Sequence, residues 1–247
     1  MPSFVFDTYD FTTIVEDVEF DRESRIPAET APRRHGTIVT EEVVLDAKEI
    51  VIHGFYSAAT EALARAELDN IDKVLASTST KKLSFYSGRQ LNAYCKMFAP
   101  RFIEGTSMTA FRFDAEFYAA DPFWYSTTQT SVTTTTFVNV IFTQNNSGSV
   151  YVFPTITITN QGGSSLPSPV TFENVTTGKQ FSVATAMAVS DSLVVDCANF
   201  TVKKNGVSVL GNFTGTFMWL NSGDNSMRML FPGFDVKIEF YPRFFQP

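Results

Sequence analysis

Histidine and cysteine are scarce in this chain, at two copies each among 247 residues, and that removes most of the chemistry a protein of this length could carry. A nucleophilic triad needs a base beside its nucleophile. The only imidazoles are His35, in a charged stretch, and His53, in an alternating strand pattern, and both read as surface or packing residues. No G-x-S-x-G elbow accompanies them. Zinc needs three or four clustered His, Cys or acidic ligands, and no such spacing occurs. Cys95 and Cys197 lie in different halves and are expected to be reduced and buried. Phosphate-cradling glycine motifs are absent. Paired carboxylates for glycoside hydrolysis need not be close in sequence, so they stay open. The C-terminal half holds only six acids, however, and none stands in a motif. The expectation is a protein that is not an enzyme, with no catalytic, cofactor-binding or metal-binding residues.

Two further deficits narrow the class. No apolar run approaches bilayer length, so no membrane insertion is expected. The N-terminus, MPSFVFDTYDF, lacks a basic region and a long apolar core and does not read as a secretory signal. The sequons at Asn145, Asn174, Asn199 and Asn212 therefore read as chance. Basic residues are outnumbered, 19 Lys+Arg against 26 Asp+Glu, and the excess is local. Residues 1–125 carry a net charge of −7, whereas 126–247 are neutral. An acidic half beside a neutral one points to two domains and argues against a basic grip on nucleic acid.

Hydrophobic residues make up 44% of the chain, with 25 phenylalanines, which suits a packed, strand-rich fold. The organising stretch is 108–125. Phe111, Phe113, Ala115 and Phe117 alternate with Arg112, Asp114, Glu116 and Tyr118, the period of a strand with one buried face. Pro122 ends it, and a Thr-rich tract follows.

Upstream, residues 3–20 read as short strands. Glu16, Asp17, Glu19, Asp21 and Glu23 form an acidic cluster, either a cation site, a repulsive surface or simply a solvated strand edge. Residues 24–36 read as a loop, and 37–45 and 49–56 as a strand pair. Residues 58–76 form the one clear helix, with a stripe of Ala59, Leu63, Ala66, Ile71, Val74 and Leu75. Residues 82–86 and 89–98 read as strands. Downstream of the Thr tract, 137–142 and 150–159 read as strands with a turn at 144–149, and short strands recur about every ten residues through 216–220, 226–231 and 236–241. Asn205-Gly206 is the strongest hairpin signal. Many short strands at regular spacing predict a β-sandwich.

The order of these pieces resembles the siphophage distal tail protein (Dit) family. The likeness is carried by IVIHGFYSA before the helix, by FRFDAEFYAADPFWYS, and by PTITITN, PVTFENVTTGKQF, DSLVVDCANFTVKKNGVSVLG and VKIEFYPRFF in the second half. Each match is loose, but together they persist in order over nearly the whole chain. The resemblance implies a mainly β protein: an N-terminal β-sandwich-type domain over 1–125 with a covering helix, a Thr-rich linker or edge segment at 126–136, and a galectin-like β-sandwich over 137–247. It also implies a structural hub at the distal end of the tail in the virion, assembled in the host cytoplasm. Six copies would form a ring joining the tail tube protein to a tail-associated fibre or lysin-type protein. The outward domains could carry receptor-binding proteins, and DNA would pass through the channel. The acidic half is expected to line that channel and repel the DNA backbone. A carbohydrate-binding adhesin is the alternative. Sugar-binding relatives of that sandwich use a stacking Trp, but Trp219 reads here as a core residue.

Overall fold

In a computed structural model the described residues are 3–20, 47–85, 88–135, 141–162, 165, 168–230 and 233–247, together with the backbone of four short strands between 24 and 45. The chain divides into two compact units, Met1–Trp124 with Gln246–Pro247, and Tyr125–Phe245.

The first unit contains β1 (Phe4–Phe6), β2 (Tyr9–Asp10), β3 (Val15–Phe20), β4 (Ser24–Arg25), β5 (Ala28–Thr30), β6 (Thr37–Val39), β7 (Val44–Leu45), β8 (Lys48–Ser57), α1 (Glu61–Leu75), β9 (Lys81–Phe85), β10 (Arg89–Phe102) and β11 (Ala110–Ala119). Seven strands run in the order β2-β1-β9-β10-β11-β8-β3, with every described pairing antiparallel. The alternation of β11 is realised: Phe111, Phe113, Ala115 and Phe117 are buried, while Arg112 is exposed. β10 is long and carries a bulge between Cys95 and Met97, which bends a strand and strengthens its twist. Past that bend the sheet folds over itself. Phe4 and Phe6 of β1 reach Phe117 of β11, with ring centroids 5.9 and 4.8 Å apart, although β9 and β10 lie between these strands in the sheet order.

Three local expectations for this unit need correction. The stretch 24–36 contains strand backbone at β4 and β5, so it is not all loop. Residues 37–45 do not pair with 49–56: β6 pairs with β5, β7 pairs with β4, and β8 lies between β3 and β11. Both segments alternate, and alternation identifies a strand without naming its partner. The buried stripe of α1 is Ala64, Ile71 and Leu75, whereas Leu63 is 56% exposed and Ala59 and Ala66 face solvent. The helix begins at Thr60, whose hydroxyl accepts a hydrogen bond from the Leu63 amide at 3.3 Å. Packing on β10 and β11 decides which side of the helix is buried.

β12 (Trp124–Ser126) spans the boundary between the units. The second unit holds β13 (Thr130–Thr135), β14 (Ile141–Asn146), β15 (Thr155–Asn160), β16 (Val170–Asn174), β17 (Lys179–Val183), β18 (Ser192–Asp196), β19 (Thr201–Lys204), β20 (Val207–Ser208), β21 (Phe213–Gly215), β22 (Gly223–Met229), β23 (Phe234–Phe240) and β24 (Arg243–Phe244). Two antiparallel sheets, β13-β23-β15-β18-β19-β20 and β14-β22-β16-β17-β21, face each other across one core. Ile156, Ile158, Val195, Val236 and Ile238 fill it from one side, and Phe172, Phe181, Met227 and Met229 from the other. The protein is thus mainly β with one α-helix among the described residues. The Thr-rich segment supplies β13, an edge strand paired along its length with β23. The β19–β20 hairpin turns at Asn205 and Gly206, both at positive φ. Elsewhere the bounds move: β14 continues to Asn146, where a turn was expected, and 216–220 forms no strand beyond a single bridge at Leu220. Residues 136–140, within the expected strand 137–142, lie outside the described residues.

A charged sheet face as the candidate functional site

The residues opposite the buried side of β10, β11, β8 and β3 make one four-strand face, and strand register aligns its side chains in rows. Arg101 lies opposite Arg112, which lies opposite Phe55. The next outward row is Ala99, Asp114, His53 and Asp17, and the third is Met97, Glu116, Val51 and Glu19. A fourth holds Tyr94, Tyr118 and Glu49.

Within the rows the charges form two clusters. The His53 Nδ1 lies 2.7 Å from Asp114 Oδ1, and its Nε2 lies 3.7 Å from Glu19 Oε1. The hydrogen bond to Asp114 holds the imidazole above its ordinary pKa, and the charges of Asp114, Glu19 and Asp17 add to that against a smaller desolvation effect. Lys96, the extra residue of the β10 bulge, donates to Glu116 and, at 2.9 Å, to Glu49. Those two bonds raise its ammonium above the usual range. Arg101 and Arg112 are exposed cross-strand partners, and neither has a counter-ion among the described residues.

Of the five acids singled out in the sequence, Glu16, Asp17 and Glu19 are exposed on β3, the last strand of the sheet. Asp17 and Glu19 share the charged face, and Glu16 is the extra residue of a bulge between Val15 and Asp17. Asp21 and Glu23 lie outside the described residues, as does His35. Glu49, His53 and Lys96, which share the face with Asp17 and Glu19, were not recognisable as a group from sequence. The outward set of β11 was legible, but the partners across from it depend on register. No group of three or more His, Cys, Asp or Glu suited to a metal ion occurs among the described residues. Both cysteines are free. Burial pushes the Cys95 thiol up to about 11 and the Cys197 thiol up to about 12, so neither is a reactive thiolate near neutral pH.

In the second unit, Trp219 corrects its assignment to the core: it is only half-buried, between the buried Met218 and Leu220. Its indole Nε1–H donates to Asn221 at 3.2 Å, and Lys179 Nζ sits 5.1 Å from the ring centroid. The loop carrying it is held from inside by buried amides. Asn174 donates to the Trp219 carbonyl at 2.9 Å, and Asn225 clasps the Asn221 backbone through both its amide oxygen and its amide nitrogen. Asn174 is fully buried, so its sequon is not an accessible acceptor.

Residues 147–244 match the model of the siphovirus-type tail component, C-terminal domain. That match points to a class: the second unit is similar to a phage tail component domain. No curated protein matches the chain. The crystal structure of the SPP1 Dit protein, described as a paradigm of the hub adsorption apparatus in phages infecting Gram-positive bacteria, shares this fold. Its TM-score is 0.74 at 16% identity, covering 99% of both chains. The phage p2 baseplate in its activated conformation with calcium is a looser likeness, at TM-score 0.48 and 9% identity over 97% of this chain and 98% of that one. The resemblance to the siphophage distal tail proteins is borne out: the second unit matches their tail component domain and the chain as a whole shares the SPP1 Dit fold.

Proposed function

We propose that the chain is the structural hub of a siphophage tail tip. Six copies close into a ring at the distal end of the tail, join the tail tube protein to a tail-associated fibre or lysin-type protein, and leave a channel for DNA. The observation that carries this reading is the tail component domain at 147–244 within a chain whose whole length follows the SPP1 Dit fold. The absence of catalysis, a galectin-like topology for the second unit, assembly in the host cytoplasm and the mounting of receptor-binding proteins on the second unit belong to the same proposal. In the ring, the charged face of the first unit lines the channel. Its carboxylates, at Asp17, Glu19, Glu49, Asp114 and Glu116, outnumber its permanent cations, at Lys96, Arg101 and Arg112, so a DNA backbone passing over it is repelled and does not stick.

Light scattering after size exclusion, with negative-stain images of the same peak, tests the ring. A species of about six subunits is expected, since homo-oligomers close by rotational symmetry. A monomer that stays monomeric with the tube and fibre proteins present would overturn the reading. An electron cryo-microscopy map with a neutral or basic lumen would overturn the channel assignment alone.

One observation favours a second reading, a glycan-binding adhesin. Trp219 offers a half-exposed ring beside Lys179 and Asn221, and sugars stack on such rings. A glycan array probed with wild type and Trp219→Ala decides it. Binding lost in the variant supports the adhesin, and an empty array removes it.

A further inference from the structure

Arg101 and Arg112 stand directly opposite each other on adjacent strands with no counter-ion among the described residues, an arrangement that costs stability within one copy. The nearest carboxylate along β11, Asp114, is already engaged by His53. Across the same face the opposite imbalance occurs: Glu16, Asp17 and Glu19 crowd β3, and among the described residues the cation paired with them is His53, 3.7 Å from Glu19. β10 and β3 bound this four-strand face on its two sides, in the order β10-β11-β8-β3. Among the described residues, one side therefore carries an excess of positive charge and the other an excess of negative charge.

We propose that these two sides meet between neighbouring copies of this chain: the Arg101–Arg112 pair of one copy takes the Asp17 and Glu19 carboxylates of the next. The inference rests on the ring reading and names the contact that closes it. The occupant is a second copy because the charge each side lacks is carried by the other side of the same face. The contact is heterologous, since the two patches differ, and a heterologous contact repeated around an axis gives a ring when its rotation closes. Guanidinium groups suit the task, because each can take a carboxylate through two parallel N–H bonds. The bulge at Glu16 and the acids of β3 also discourage plain edge-to-edge strand pairing with unrelated chains, which leaves charge to select the partner.

Charge reversal tests this on the full-length protein. Arg101→Glu with Arg112→Glu keeps a like-charge pair in place, so the monomer should fold as wild type does, which circular dichroism and thermal melting check. Its ring formation should weaken by at least about tenfold, in line with close interfacial charge pairs. Asp17→Arg with Glu19→Arg should weaken it similarly. The chain carrying all four substitutions restores complementarity and should form rings again, as should an equimolar mixture of the two double variants. Rings of wild type that persist in both double variants would overturn this contact and leave the ring reading standing. Double variants that fail and are rescued neither by the fourfold chain nor by mixing would also overturn it. A wild-type chain that never forms rings, even with its tail partners, would overturn the ring reading and this contact with it.

Discussion

Gly54 marks a point where one residue's lack of a side chain decides local packing. It lies on β8 opposite Phe113 of β11, and a Cβ built there would stand 2.1 Å from Phe113 Cζ. The ring of Phe113 covers this gap in the strand, and the same ring meets Phe11 at 6.2 Å and Phe98 at 5.7 Å. Gly54→Ala forces that ring off its site. The expected cost is about 1–3 kcal/mol of stability, as for other overpacked cores. Denaturant unfolding should show a lower midpoint at unchanged slope. His53 makes a different residue-scale prediction. Its folded pKa lies above the ordinary value, so its ion pairs stabilise the fold fully at pH below about 6.5 and are lost as pH rises through the raised value. The stability difference between wild type and His53→Gln should therefore be larger on the acid side of the ordinary histidine range than well above it. An imidazole titration followed by NMR should give a midpoint above that of a free histidine. A midpoint at or below it would remove the Asp114 pairing.

At the scale of the element, α1 combines a capped start with a face buried by packing. The Thr60 hydroxyl caps the first turn, Glu61 sits in that turn and Lys73 in the last, each favourable to the helix dipole. Its inward residues Ala64, Ile71 and Leu75 cover β10 and β11. Thr60→Ala should cost about 1 kcal/mol, while Thr60→Ser or Thr60→Asp should keep most of the stability. Thermal melts of the three variants check this, and equal losses in all three would mean the cap contributes nothing. In the strands, alternation determined which residues face inward, as in β11, β15 and β23, whose burial patterns follow period two. It did not determine which strand lies alongside which.

At the scale of the whole molecule, the second unit's core consists of its own side chains. Ile156, Phe172, Phe181, Leu193, Val236 and Ile238 are among those closed from water by the two sheets. A unit with its own core can fold alone. Residues 125–245 expressed by themselves should unfold in one cooperative transition with dispersed amide resonances. A molten, non-cooperative fragment would show that this core depends on the rest of the chain.

By itself the sequence determined the balance of the protein: mainly β, one helix, an acidic first half, and hairpin turns such as Asn205-Gly206, because propensity, period and turn chemistry act over a few neighbouring residues. Its ordered pieces also carried the likeness to the distal tail proteins. Only the tertiary structure decided that Glu49 and Glu116 share Lys96, that His53 bridges Asp114 and Glu19, and that Arg101 opposes Arg112. Each of those groupings joins residues on different strands, and a shift of one residue in register would turn them to opposite faces. The same reason explains Trp219. Its neighbours Met218 and Leu220 point inward and leave its ring half in water, a phase set by the buried amides of Asn174 and Asn225 from other strands and not by the local run of apolar residues.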